Sequence, residues 1–93
     1  MDVDAKNKDE ATALHVAAFL GQYEVAELLI QKGADVNVSD DDGGTALHAA
    51  AFLGQYEVAK LLVQKGADVN ARKNDGATAM DVLKVDWDTT LFI

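Results

Sequence analysis

The decapeptide AAFLGQYEVA occupies residues 17–26 and recurs unchanged at residues 50–59. The spacing of 33 reaches well beyond it, relating Thr12, Thr45 and Thr78, Gly21 and Gly54, Gly33 and Gly66, and Asn37 and Asn70. Residues 12–44 and 45–77 differ at eight of 33 positions: Val16/Ala49, Glu27/Lys60, Ile30/Val63, Val38/Ala71, Ser39/Arg72, Asp40/Lys73, Asp41/Asn74 and Gly44/Ala77. The register also runs outward, with DVDA at 2–5 answering DVNV at 35–38 and DVNA at 68–71, and TAMD at 78–81 answering TALH at 45–48. A unit this short cannot close a core alone, so its natural packing partner is another copy of itself.

Each unit reads as two short helices and a loop. Thr12 is a cap residue ahead of Leu14, Ala17 and Ala18 at helical spacing, and Gly21 ends that helix. The next segment, QYEVAELLIQK, sets Val25, Leu28 and Leu29 on one stripe, with Glu24 early, Lys32 late and Gly33 where a left-handed terminator belongs. Residues 34–44 carry an isolated valine alternation and then turn formers, which predicts a loop.

The totals narrow the class of function. Eight basic against sixteen acidic side chains give a net charge of −8, which disfavours nucleic acid and anionic membrane as partners. The acid is concentrated early: residues 1–44 hold three basic and ten acidic side chains, whereas residues 45–93 hold five and six. With no cysteine there is no disulfide, thiolate chemistry or Cys-based zinc site. MDVDAKNKDE lacks the apolar core of a signal peptide, and no apolar run approaches the roughly 20 residues of a membrane span. The expectation is a soluble, intracellular, cytoplasmic protein.

The 33-residue period, TALH, AA-x-x-G and LL-x-x-GADVN together resemble the ankyrin repeat, across residues 2–83. The resemblance implies an all-α solenoid of stacked antiparallel helix pairs with hairpin-like loops. It further implies protein binding through loop tips and the inner helix face, without catalysis, metal or cofactor. One domain is expected: residues 1–11 as the loop of a partial preceding repeat, 12–44 and 45–77 as repeats, and 78–93 as a partial C-terminal repeat. Three departures stand out. Ala13, Ala46 and Ala79 replace the usual proline, a loss of about 0.4–1 kcal/mol per site. Gln22 and Gln55 replace a histidine, and Asp81 replaces the motif histidine of the third unit, which then runs into VLKVDWDTTLFI with Trp87 where glycine is usual.

Several constellations invite chemical readings. His15 and His48 are one repeat apart, so stacked helices hold them roughly 8–10 Å from each other, too far to share a zinc ion. The resemblance gives them a loop-bracing role instead. DDDGG at 40–44 fits an EF-hand loop in neither frame, since Val38 or Ser39 falls at the first ligand position. The loop columns run basic (Lys6, Lys8), acidic, basic (Arg72, Lys73), which predicts an acidic loop partly neutralised by its neighbours. Glu27 and Lys60 share a repeat position and become neighbours of opposite sign in a stack, worth at most ~1 kcal/mol. The single serine, Ser39, lies in a loop without a histidine partner.

Phe19, Leu20, Phe52 and Leu53 follow the inner helices. Either they pack beneath the next loop, or the phenylalanines form a row on the concave face that anchors a partner. Candidate partner contacts are these four residues and the tips Lys6, Lys8, Ser39, Asp41, Asp42, Arg72, Asn74 and Asp75. Repeat arrays normally end in polar-faced caps. Here repeat one carries most of the side chains that repeat two buries, and the chain ends on Leu91, Phe92 and Ile93. Self-association is therefore expected, by open end-to-end stacking or by exchange of the last segment into a closed dimer. The alternative to a partner-binding module is a structural, engineered or truncated repeat unit that binds only itself, and a third possibility is a regulatory piece of a larger enzyme.

Overall fold

A computed structural model describes residues 2–83. Five helices follow in order: α1 (Ala13–Phe19), α2 (Tyr23–Gln31), α3 (Ala46–Phe52), α4 (Tyr56–Gln64) and α5 (Ala79–Leu83). No strand occurs among the described residues. The fold is the all-helical solenoid that the resemblance implied.

Local chemistry sets the helix ends. Thr12 and Thr45 hold extended backbone (ψ 172° and 174°) and open α1 and α3. The Thr12 hydroxyl accepts from the His15 N–H, while His15 Nδ1 accepts from the Thr12 N–H at 3.1 Å. Two otherwise unpaired donors are thereby satisfied. Asp81 makes the same box in α5, accepting from Thr78 N–H at 2.9 Å and from the Thr78 hydroxyl at 3.1 Å. The missing histidine of the third unit thus leaves the cap intact. Helices α2 and α4 lack a side-chain cap at Gln22 and Gln55 but carry Glu24 and Glu57 in their first turns, where the helix dipole favours an anion. Both end in paired bonds around a glycine: Gly33 N–H to Ile30 O and Ala34 N–H to Leu29 O, repeated as Gly66 to Val63 and Ala67 to Leu62. Gly33 and Gly66 have φ near 96° and 98°, open to glycine and costly for other residues.

The helices form two layers. α1 packs on α3 and α3 on α5 in one layer, and α2 packs on α4 in the other. Buried alanines, including Ala17, Ala18, Ala50 and Ala51, let the first layer approach closely, and Leu14, Leu47, Val58, Leu61 and Leu62 fill the space between layers. Burial exposes the asymmetry of the stack. Val58 and Leu61 are 1% and 3% exposed, whereas their exact repeat equivalents Val25 and Leu28 are 45% and 52% exposed. Repeat two has α1 and α2 on that side; among the described residues, repeat one has only the loop of residues 2–11 there. The open face expected from the sequence is present, and side-chain identity has not determined burial.

Glutamine at position 55, which stands where the family usually has histidine, forms a contact of its own. Its side-chain amide donates to the Phe19 carbonyl at 3.2 Å, tying the repeats together across the end of α1. Gly21, at φ 68°, leaves room for that amide; a Cβ there would overlap it. The opposite-sign pair Glu27 and Lys60 forms no ion pair among the described residues, although α2 and α4 pack together. The expectations resting on Trp87 and on Leu91, Phe92 and Ile93 lie outside the described residues.

Candidate functional site

Three loops stack beside the first helix layer, each turning on the same bonds. Asn7, Asp40 and Lys73 donate their backbone N–H to the carbonyl four residues on, at Ala11, Gly44 and Ala77. The fourth residue of each turn has positive φ: Glu10 (63°), Gly43 (79°) and Gly76 (86°). Glu10 thus holds a conformation that glycine holds in the other two copies, at a cost of roughly 1–2 kcal/mol.

Adjacent loops are joined by bonds that repeat with the period. Asp41 N–H donates to Asp9 O at 3.1 Å, and Asn74 N–H to Asp42 O at 2.8 Å. Nearer the second helices, Asp4 Oδ1 accepts from Asp35 N–H at 3.0 Å and Asn37 Oδ1 from Asp68 N–H at 2.7 Å. The histidines fasten these loops to the helices. His15 Nε2 lies 3.0 Å from Gly44 O and His48 Nε2 lies 3.0 Å from Ala77 O. Because Nδ1 accepts a backbone N–H in both, Nε2 carries the proton and donates to the carbonyl. Both ring nitrogens are engaged in bracing, which leaves neither for a metal or for proton transfer.

Every loop-tip residue singled out from the sequence is exposed: Lys6, Lys8, Ser39, Asp41, Asp42, Arg72, Asn74 and Asp75. Some also hold the ladder. The Lys6 ammonium donates to Ser39 O at 3.2 Å and the Asn74 amide to Asp41 O at 3.1 Å, each across to a neighbouring loop, whereas Arg72 donates to Gly76 O at 3.2 Å within its own loop. No ion pair links one loop to the next among the described residues, so the acidic loop is not neutralised by direct pairing. Partial desolvation, then the carboxylates of Asp42, Asp9 and Asp40, push the Asp41 carboxyl above its ordinary value. The carboxylates of Asp40, Asp41 and Asp42 lie within 4.8 Å of one another. Asp40 Oδ1, however, already accepts from Asp42 N–H at 2.9 Å and Gly44 N–H at 2.8 Å, so it serves the turn.

Between this ladder and the first helices runs a groove. On its helix side Phe19 and Phe52 stack, ring centroids 6.4 Å apart and planes 13° from parallel. They are 43% and 65% exposed, and Leu20 and Leu53 are exposed beside them, so neither pair is covered by a following loop. Two adjoining recesses share Phe19, Asp40, Asp42 and Ala49 as walls; the larger encloses about 530 Å³ and extends to Asp9, Val16 and Leu20. Sequence reasoning missed Asp9, Val16 and Ala49 as groove walls. Their signal was positional, since Val16 and Ala49 lie three residues before Phe19 and Phe52 on one helical face.

A family model described as ankyrin repeats (3 copies) matches residues 1–73. No curated protein matches the chain. The matched span takes in both complete helix pairs and the first two loops of the ladder, and the structure repeats their bonds copy by copy. The chain belongs to the ankyrin-repeat family.

Proposed function

We propose that the chain is a non-catalytic protein-interaction module that grips its partner with the phenylalanine row and the loop tips facing it. Ankyrin repeats serve in general as protein-interaction modules and are typically non-enzymatic, which supports the reading. The observation that carries it is the exposed Phe19–Phe52 stack. Two large rings held in parallel on a helix face offer apolar area already ordered before a partner arrives, which is how interface anchors are built. Leu20 and Leu53 widen this area, Asp41 and Asp42 line the recess beside it, and the exposed tips Lys6, Lys8, Ser39, Arg72, Asn74 and Asp75 are the further polar contacts proposed for the partner. The reading carries with it a cytoplasmic location. Replacing both rings (Phe19→Ser with Phe52→Ser) should weaken capture of the partner roughly tenfold or more while far-UV circular dichroism stays unchanged. Lost helicity would show the rings to be core and the reading wrong.

A second reading is favoured by the bare face of repeat one: self-association through Val25 and Leu28, whose equivalents are buried against a neighbouring repeat. Light scattering at high micromolar concentration should give a mass above the monomer, and Val25→Lys with Leu28→Lys should restore the monomer. A monomer at that concentration contradicts it. The chain-exchange version of this contact involves the last segment, which lies outside the described residues.

A further inference from the structure

The groove is asymmetric in a way that selects its occupant. The helix wall is apolar, made by Val16, Phe19, Leu20, Ala49 and Phe52. The loop wall is anionic: Asp9, Asp40, Asp41 and Asp42 line it, and among the described residues Lys73 is the one cation lining either recess. These carboxylates sit side by side without an ion pair among the described residues.

We propose, resting on the interaction-module reading above, that the groove takes a cationic amphipathic polypeptide segment. Its apolar side chains would lie across Phe19 and Phe52, and its Lys or Arg side chains would meet Asp9, Asp41 and Asp42. Charge complementarity argues for this occupant over the others. A neutral apolar helix would cover the rings but leave the carboxylates crowded against a low-dielectric surface, which raises their mutual repulsion. An acidic segment adds to that repulsion, and a nucleic acid places phosphates against the same wall. A basic segment removes it, and the surplus of acid in residues 1–44 draws such a segment in at long range. The upward push on the Asp41 carboxyl is consistent with a wall that lacks counter-charge.

The experiment uses the full chain and three labelled twelve-residue peptides with one shared pattern of Leu and Phe. Their polar positions are all Lys, all Gln or all Glu, and binding is followed by fluorescence anisotropy at several salt concentrations. The expected order is Lys above Gln above Glu, with affinity for the Lys peptide falling as salt rises. Asp9→Asn with Asp41→Asn and Asp42→Asn should weaken the Lys peptide roughly tenfold. A charge-matched control, Glu24→Gln with Glu27→Gln and Glu57→Gln on α2 and α4, should weaken it far less. Phe19→Ser with Phe52→Ser should abolish the binding. If the Gln or Glu peptide binds as tightly as the Lys peptide and still depends on both rings, the charge assignment is overturned while the interaction-module reading stands. If the Lys peptide binds the ring-free variant equally well, or the control weakens it as much as the loop variant, the groove is not the site. Binding by none of the three overturns the proposal.

Discussion

The Asp41 carboxyl concentrates the consequence of placing acid beside acid on a rigid loop. Its value in the folded chain is raised by partial desolvation and by Asp42, Asp9 and Asp40. A raised carboxyl disfavours the folded state while ionised, and that penalty fades as pH falls through the raised value toward the ordinary 3.8. Asp81 is shifted the other way, lowered first by the Thr78 backbone N–H and then by its hydroxyl. Its stabilisation is present above 3.8 and is lost in more acid solution. Asp41→Asn should therefore raise the thermal midpoint at pH 7, with the gain shrinking to nothing below about pH 4; an equal gain at both pH values would contradict the repulsion. The Asp9 contribution at Asp41 was not legible in the sequence, because it depends on which loops lie side by side, whereas the Asp81 shift rests on Thr78 three residues before it. The capping roles of Thr12 and Thr45 were legible, since they rest on local spacing. The left-handed Glu10 was not: no local signal marks glutamate for that conformation, and only the register with Gly43 and Gly76 reveals it.

At the scale of the helix, the alanines that stand first in α1, α3 and α5 are the clearest place to add stability. Thr12 already holds extended backbone, the conformation demanded of a residue before proline, and Ala13 is exposed. Ala13→Pro should thus raise stability by about 0.4–1 kcal/mol in urea unfolding, through the unfolded chain; a loss of stability would show that the first turn of α1 is not free to accept the ring. Helix position and helix ends followed from the period, from Thr, and from Gly21, Gly33 and their copies. The difference between copies came from their order in the array and not from either copy's own residues. Val25 and Val58 are the same residue in the same local sequence, yet one is bare and the other is core. Burial in a stack depends on what stands beside a helix, and a sequence window contains no information about that. Gln55 is the same lesson in polar form, because its bond to the Phe19 carbonyl exists only between repeats.

For the molecule as a whole, the account is of a one-dimensional assembly in which each unit is held by its neighbours. The stack sets Phe19 above Phe52, aligns the loops into a ladder, and so makes a groove that no single unit contains. The groove's helix wall was foreseen as one of two alternatives for the phenylalanines; its acidic wall emerged only when Asp9 and Asp40–Asp42 came together across loops. The measurement that bears most directly on the stack compares two identical substitutions, Leu28→Ala and Leu61→Ala, by urea unfolding at low micromolar concentration. Leu61 is buried against repeat one and its loss should cost about 2–5 kcal/mol, whereas Leu28 on the open face should cost less than about 0.5 kcal/mol. Equal costs for the two would contradict the stacked arrangement and the binding groove built on it.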